Sequence, residues 1–95
     1  MIIPKTYKQF GRTIKVETKS GDWDLDYNGI VHPDKNCIRL IKGMERDITE
    51  QNYLHEALHL MMSLMQRKEL YQDEEFINVL AGLIHQMLCT GKGEI

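Results

Sequence analysis

Two histidines and a glutamate stand at a spacing that can bind and use a metal ion, in the sequence His55-Glu56-Ala57-Leu58-His59. Residues four positions apart lie on the same side of a helix, so both imidazole rings can reach one ion. Zinc accepts two such nitrogens, and a catalytic zinc keeps one position for water. Glu56 projects in a different direction, from which its carboxylate can take a proton from that water. The pattern predicts zinc ligands at His55 and His59 and a general base at Glu56.

The residues around the motif favour a metal centre over two ordinary surface histidines. The bare pattern also occurs by chance in unrelated helices, where the histidines are solvent-facing side chains. Here the flanking residues Leu54, Leu60 and Met61 are apolar, and Ala57 and Leu58, the two variable positions of the motif, are uncharged. We therefore expect the motif to lie on a helix that packs against the protein core.

A third ligand is required, and the spacing leaves more than one candidate. If two helices form a hairpin, residues equidistant from the connection face each other. Glu74 then faces His59 when the first helix ends by about Leu64. If that helix continues through Arg67, the metal lies closer to a stripe of the second helix that includes His85. Acidic residues in a first helical turn are also explained by the helix dipole alone.

The second half of the chain has helical periodicity. Asp47 and Glu50 resemble a capping box, and we expect a helix from about Ile48 into the mid-sixties. Its apolar positions are Leu54, Ala57, Leu58, Met61, Met62 and Met65. A second helix is predicted to open at 73–75 and to end at Gly91. Its predicted apolar face consists of Phe76, Ile77, Leu80, Leu83, Ile84, Met87 and Leu88.

The first half of the chain predicts short strands. In the segment 12–18, Ile14 and Val16 alternate with charged residues, as in a half-buried strand. Pro33-Asp34-Lys35-Asn36 is a turn sequence. The predicted strands are Lys5–Phe10, Arg12–Thr18, Tyr27–His32 and Cys37–Ile41. We expect a small antiparallel sheet of three or four strands, with Trp23 capping its core and Asp22, Asp24 and Asp26 on an outer face.

Length and composition limit the architecture and the partners. A chain of 95 residues predicts one α+β domain over 1–95, with a sheet region at 1–43 and an antiparallel helix pair at 44–95. The net charge of −2 gives no general attraction to nucleic acid or to anionic membranes. The sequence has neither a membrane-length apolar run nor a signal-peptide block, so we expect a cytoplasmic protein with no membrane partner. Cys37 and Cys89 are expected to be reduced and partly buried.

The motif and the helix after it resemble the gluzincin group of zinc metallopeptidases, in which a second helix contributes a glutamate. Within that group the chain resembles ImmA/IrrE-type peptidase domains and the small metallopeptidase-like proteins of phages and prophages. The similarity covers roughly residues 29–90, and Glu74–Ala81 resembles the glutamate helix. The resemblance implies a zincin-like fold, a Zn²⁺ cofactor and a peptide or protein substrate. It also implies Glu74 as the third ligand, with Glu75 and then His85 as reserves.

The sequence offers more than one candidate donor to the transition state. His85, Tyr53 and Tyr71 are each able to donate a hydrogen bond to a transition state. The strand Cys37–Ile41 leads into the metal helix, so an extended peptide is expected to pair along it as it does along the edge strand of zinc peptidases. So small a domain has little wall for specificity pockets, so a protein partner could complete the cleft.

Two other functions compete with that of a peptidase. A non-catalytic phage or prophage protein could keep the zinc site for stability or for partner binding. A nucleic-acid accessory protein could use the basic N-terminal hairpin, although the near-neutral charge argues against it. Glu56 favours the enzyme, because a purely structural zinc site has no use for a general base.

Overall fold

The structure is a computed structural model that describes residues 1–20 and 29–95. It has the α+β composition that the sequence predicts. The strands are β1 (Thr6–Gln9), β2 (Arg12–Lys19), β3 (Gly29–His32) and β4 (Cys37–Ile41). The helices are α1 (Arg46–Leu64), α2 (Lys68–Tyr71) and α3 (Glu74–Thr90). The predictions for Trp23, for the three aspartates beside it and for the first residues of the strand at 27–32 lie outside the described residues.

The four strands form one mixed sheet in the order β1-β2-β4-β3. β1 pairs with β2 and β3 pairs with β4 in antiparallel fashion, whereas β2 and β4 are parallel, with Lys15 opposite Cys37. The prediction of an all-antiparallel sheet is therefore wrong. The turn at Pro33–Lys35 does join two antiparallel strands, but the second of them, β4, inserts beside β2 and runs in the same direction as β2.

This strand order also changes which strand lies at the edge. Within the described residues, β4 has a neighbour on each side, β2 and β3. A peptide cannot add to a strand whose two backbone edges are already hydrogen-bonded. The prediction that Cys37–Ile41 is an edge strand is wrong, and β3 stands at that end of the sheet instead.

Helix α1 lies between two apolar clusters of the described residues. One cluster joins it to the sheet and contains Ile14, Ile38, Leu40, Tyr53, Ala57 and Leu60. The other joins it to α3 and contains Leu58, Met62, Ile77 and Ala81. Burial of apolar surface on both sides fixes the rotation of α1 about its own axis, because turning it would expose one cluster. The orientation of the side chains between these clusters is thereby also fixed.

The two long helices, α1 and α3, end close to the predicted positions, but the predicted cap of α1 is wrong. α1 ends at Leu64, and Gln66 follows with a left-handed φ of 59°. Asp73 caps α3, since its Oδ1 accepts a hydrogen bond from the backbone N–H of Phe76 at 3.0 Å. The capping box at Asp47 and Glu50 is wrong: Glu45 precedes α1 without a side-chain cap, and Glu50 is buried.

The apolar face predicted for α3 is only partly buried. The buried residues of this helix are Ile77, Ala81 and His85, which form a narrow stripe toward α1. Three residues that we expected on the buried face are more than half exposed, at 61%, 63% and 51%, namely Leu83, Met87 and Leu88. The discrepancy arises because α3 packs on α1 and on the short helix α2 rather than on a broad layer.

Candidate metal centre

The two motif histidines lie in the middle of α1, between its two apolar clusters. His59 is buried and His55 is half-buried, and their rings meet edge-to-face with centroids 4.8 Å apart. Their Nε2 atoms are 3.1 Å apart. The four-residue spacing places both rings on one side of the helix. The packing of Ala57 toward the sheet and of Leu58 toward α3 fixes the direction of that side.

Glu74, the first residue of α3, completes the group. Its Oε2 lies 3.0 Å from Nε2 of His55, and its Oε1 lies 3.0 Å from Nε2 of His59. The carboxylate reaches the histidines because α1 stops at Leu64 and the chain returns through α2. Of the candidates for the third ligand, Glu74 is the one that the structure brings to the histidines. Among the described residues, neither Glu75 nor His85 belongs to this group.

The separations within the group fit a single zinc ion. Two ligands bound at roughly 2.0–2.1 Å in a tetrahedral site lie about 3.3–3.4 Å apart. The three pairs of atoms described above are 3.0 to 3.1 Å apart, so a shift of a few tenths of an ångström would place them around the ion. Two imidazole nitrogens and one carboxylate are also a donor set that zinc accepts in catalytic sites.

Glu56 follows His55 on α1 and lies outside the ligand group. Its side chain is half-buried, and burial together with the nearby charge of Glu74 raises the pKa of this carboxyl to about 7. A glutamate in such surroundings exchanges protons near neutral pH more readily than an exposed one. The role of Glu56 as a general base stays a prediction of the motif.

Of the two tyrosines that the sequence left open, the structure places only Tyr71 beside the histidines. Its ring meets that of His59 edge-to-face, with centroids 5.1 Å apart. Burial raises the pKa of the Tyr71 hydroxyl, and the charges of Glu56 and Glu74 add to this effect. Tyr53, in contrast, lies in the core, with its ring 6.3 Å from that of Tyr7.

A cleft opens beside the candidate centre on the side of Tyr71. It has a volume of about 420 Å³. It connects the end of β3 to the segment between α1 and α3, and its lining is formed by Pro33, Ser63, Gln66, Arg67, Lys68, Tyr71 and Gln72. Tyr71 lies between this cleft and the candidate centre, because its ring lines the cleft and meets the ring of His59. The candidate ligands themselves are not among the described residues that line the cleft.

His59 carries one feature that the sequence does not reveal. Its Nδ1 is buried, and among the described residues it has no hydrogen-bond partner. A histidine that binds a metal through Nε2 carries its proton on Nδ1 and usually donates it to a neighbouring acceptor. The ring is therefore held by packing against Tyr71 and His55 and by the contact of its Nε2 with Glu74, and Nδ1 does not take part.

His85 lies in a second group of side chains with ligand atoms, together with Glu50 and Cys89. Sequence reasoning missed this group. The spacing of His85 and Cys89, four residues apart on a helix, is a signal that could have found part of it. Glu50 could not be found this way, because it comes from α1 and its role depends on how the two helices pack.

Comparison with other proteins adds no relative. No protein-family model, no curated protein and no solved structure matches the chain. In the part of the chain that the structure describes, none of the helices combines the length and the hydropathy that a membrane span requires. The site geometry and the sequence motif therefore carry the functional argument.

Proposed function

We propose that this protein is a zinc-dependent peptidase in which His55, His59 and Glu74 hold the metal and Glu56 is the general base. One observation carries the proposal: the two Nε2 atoms and the Glu74 carboxylate, from two different helices, converge within 3.0 to 3.1 Å of one another. The resemblance to minimal gluzincins implies the same ligand set. It also implies a zincin-like fold.

Each residue of the site then has a distinct role. Zinc, when bound, supplies a Lewis acid that polarises a carbonyl group and acidifies a water molecule. Glu56 takes the proton of the attacking water and passes it to the leaving amine. Tyr71, whose ring lies against His59, donates a hydrogen bond to the oxygen of the carbonyl under attack. Glu74 supplies negative charge that offsets part of the charge of the ion.

The cleft beside Tyr71 supports a peptide as the substrate. Pro33, which lines this cleft, directly follows β3, the strand at the end of the described sheet. An extended peptide that pairs with β3 would run toward the candidate centre, with its affinity coming from backbone hydrogen bonds. A chain of 95 residues has little wall for specificity pockets, so a protein partner that adds a second wall would raise selectivity.

A non-catalytic zinc protein of phage or prophage type is the second candidate function. It is favoured by the position of Glu74 on α3, because an ion shared with His55 and His59 would join α3 to α1. In a chain of 95 residues such a link contributes directly to the free energy of folding. This candidate requires zinc but gives no role to Glu56.

The deciding experiment combines zinc analysis with a broad cleavage assay. The purified protein is tested for zinc content, and then incubated with a denatured proteome whose new termini are identified by mass spectrometry. A peptidase yields new termini that disappear on treatment with a chelator and return with zinc. A protein that holds zinc at the histidine pair but produces no chelator-sensitive termini is the non-catalytic alternative. A protein that takes up no zinc at the histidine pair has neither function.

A further inference from the structure

We propose a second, independent metal site formed by Glu50 of α1 and by His85 and Cys89 of α3, suited to zinc. Nε2 of His85 lies 2.8 Å from Oε1 of Glu50, and Sγ of Cys89 lies 3.4 Å from the same nitrogen and 3.6 Å from the same oxygen. The three ligand atoms thus form a triangle across the interface of the two helices. Nothing in the proposed peptidase reaction uses these residues.

The arrangement fits a metal site and not a nucleophilic triad. In a cysteine, histidine and acid triad, the ring uses one nitrogen for the thiol and the other for the carboxylate. Here the same atom, Nε2 of His85, faces both Cys89 and Glu50. A ring in this orientation cannot relay a proton from the thiol to the acid, but its lone pair can join the other two donors on one ion.

The distances agree with tetrahedral zinc. With a zinc–sulfur distance of roughly 2.3 Å and zinc–nitrogen and zinc–oxygen distances of roughly 2.0–2.2 Å, sulfur lies about 3.5–3.6 Å from the nitrogen and the oxygen. The separations of Cys89 from His85 and Glu50, 3.4 and 3.6 Å, match these values. The contact between His85 and Glu50, 2.8 Å, would lengthen by about 0.6 Å when an ion replaces the hydrogen bond.

The surroundings of the group resemble those of a built metal site. Glu50 is only 2% exposed and His85 only 8% exposed, so these two ligands are already desolvated and held by packing. Arg46 donates a hydrogen bond from Nε to Oε2 of Glu50 at 2.9 Å, which orients the carboxylate and leaves Oε1 for an ion. Such neighbours fix the direction of a ligand in known metal sites.

A recess leads from the surface to the group, and a positively charged amino group already lies against two of its ligands. Cys89 is exposed, and a recess of about 320 Å³ that reaches Glu50 is lined also by Met1, Ile3, Arg46 and Thr49. The amino group of Met1 lies 3.5 Å from Oε1 of Glu50 and 3.8 Å from Sγ of Cys89. The competing explanation is that Glu50 is satisfied without an ion, by this amino group, Arg46 and the hydrogen bond with His85.

Cobalt distinguishes the two metal sites, because only the second contains a thiolate. The full-length double variant His55→Ala, His59→Ala, which lacks the first site, is titrated with Co²⁺ under reducing conditions. We expect roughly one cobalt per chain, with the near-ultraviolet charge-transfer absorption of a cobalt thiolate. Adding Cys89→Ala removes that absorption, and the control substitution Cys37→Ala leaves it unchanged. Circular dichroism checks that each variant is folded.

A second measurement uses the wild-type protein and does not depend on how the variants fold. Zinc at this site shields Cys89 from alkylation, whereas the alkylation of Cys37 is the same with zinc and with a chelator, as mass spectrometry of the labelled peptides would show. The proposal is overturned if zinc leaves the alkylation of Cys89 unchanged, or if the folded double variant gives no thiolate absorption. If the double variant binds no cobalt and zinc does not change the alkylation of Cys89 in the wild type, the second site is absent. The first site and the proposed function are unaffected by that result.

Discussion

The Nε2 atoms of His55 and His59 lie 3.1 Å apart, and a different oxygen of the Glu74 carboxylate lies 3.0 Å from each. Two unprotonated ring nitrogens at this distance repel each other through their lone pairs, unless a proton or a cation lies between them. A carboxylate beside both nitrogens adds negative potential at the same point. The relationship between the two histidines therefore favours the binding of a cation.

The first prediction concerns this cation. Zinc should bind at the first site with a stoichiometry of roughly one, in addition to any zinc held by Cys89, and His55→Ala with His59→Ala should abolish it. Elemental analysis and titration with Cys89→Ala as the background isolate the first site. Uptake that is unaffected by the double substitution would show that the histidines are not the ligands.

The second prediction separates the two neighbouring glutamates at the start of α3. Glu74→Gln should weaken zinc binding far more than the matched control Glu75→Gln, because a neutral amide replaces a carboxylate that contacts both histidines. Both variants keep Asp73 as the helix cap, so their thermal stability without zinc should be similar. A larger effect of Glu75→Gln on affinity would move the third ligand to that residue.

The third prediction concerns Glu56. Glu56→Gln should keep the zinc content of the wild type, because this side chain lies outside the ligand group. Cleavage should fall by about a hundred- to ten-thousand-fold, the usual contribution of a general base. The rate of appearance of new peptide termini measures the effect, with zinc content as the control. Cleavage that persists at the wild-type rate would assign the base to another residue.

The fourth prediction uses the contrast between two tyrosines. Tyr71→Phe should lower the cleavage rate by up to about a hundred- to a thousand-fold, as the loss of a transition-state donor does elsewhere. Tyr53→Phe, which changes a core residue, should lower stability rather than the rate measured on folded protein. The comparison is made at saturating zinc and at a temperature where both variants are folded. Equal rates for the two variants would contradict the role of Tyr71.

The fifth prediction concerns stability at alkaline pH. The hydroxyl of Tyr7 is buried and has no hydrogen-bond partner among the described residues, and burial raises the pKa of this group from 10.0 to about 12. The unfolded chain therefore loses this proton at a lower pH than the folded protein does. The contribution of Tyr7 to stability is present below pH 10 and is lost as the pH rises from about 10 to about 12.

Tyr7→Phe tests this assignment, because it removes both the titration and the unpaired hydroxyl. At neutral pH the variant should be more stable by about 1 kcal/mol, since a buried polar group without a partner is removed. Above pH 10 its stability should also fall less steeply than that of the wild type. Urea denaturation at several pH values measures both effects. A loss of stability at neutral pH would show that the hydroxyl makes a hydrogen bond.

Much of the candidate site could be predicted because its signals are local. The spacing of His55 and His59 follows from helix geometry, and the end of α1 near Leu64 decided whether Glu74 or a later residue would reach them. The structure has α1 ending at that residue and places the Glu74 carboxylate at both rings. The metal and the reaction stay predictions, since they depend on chemistry that the fold alone does not test.

The parts that could not be predicted depend on contacts between distant segments. The parallel pairing of β2 with β4 follows from the way a hairpin inserts into a sheet, and alternating hydrophobicity does not encode direction. Glu50 follows Asp47 by the spacing of a capping box, so the local sequence predicts a helix cap there. Its actual partner, His85, is 35 residues away, and no periodicity connects them.

Because the candidate ligands are divided between α1 and α3, core residues that do not contact the ion can still affect how long it stays bound. The two histidines meet on one helix, but Glu74 arrives only when α3 docks, so docking sets its effective concentration at the ring nitrogens. Ile77, which is fully buried one turn beyond Glu74, holds that docked position. Substituting it with alanine should therefore loosen the carboxylate and speed the release of metal, even though all three ligands are unchanged.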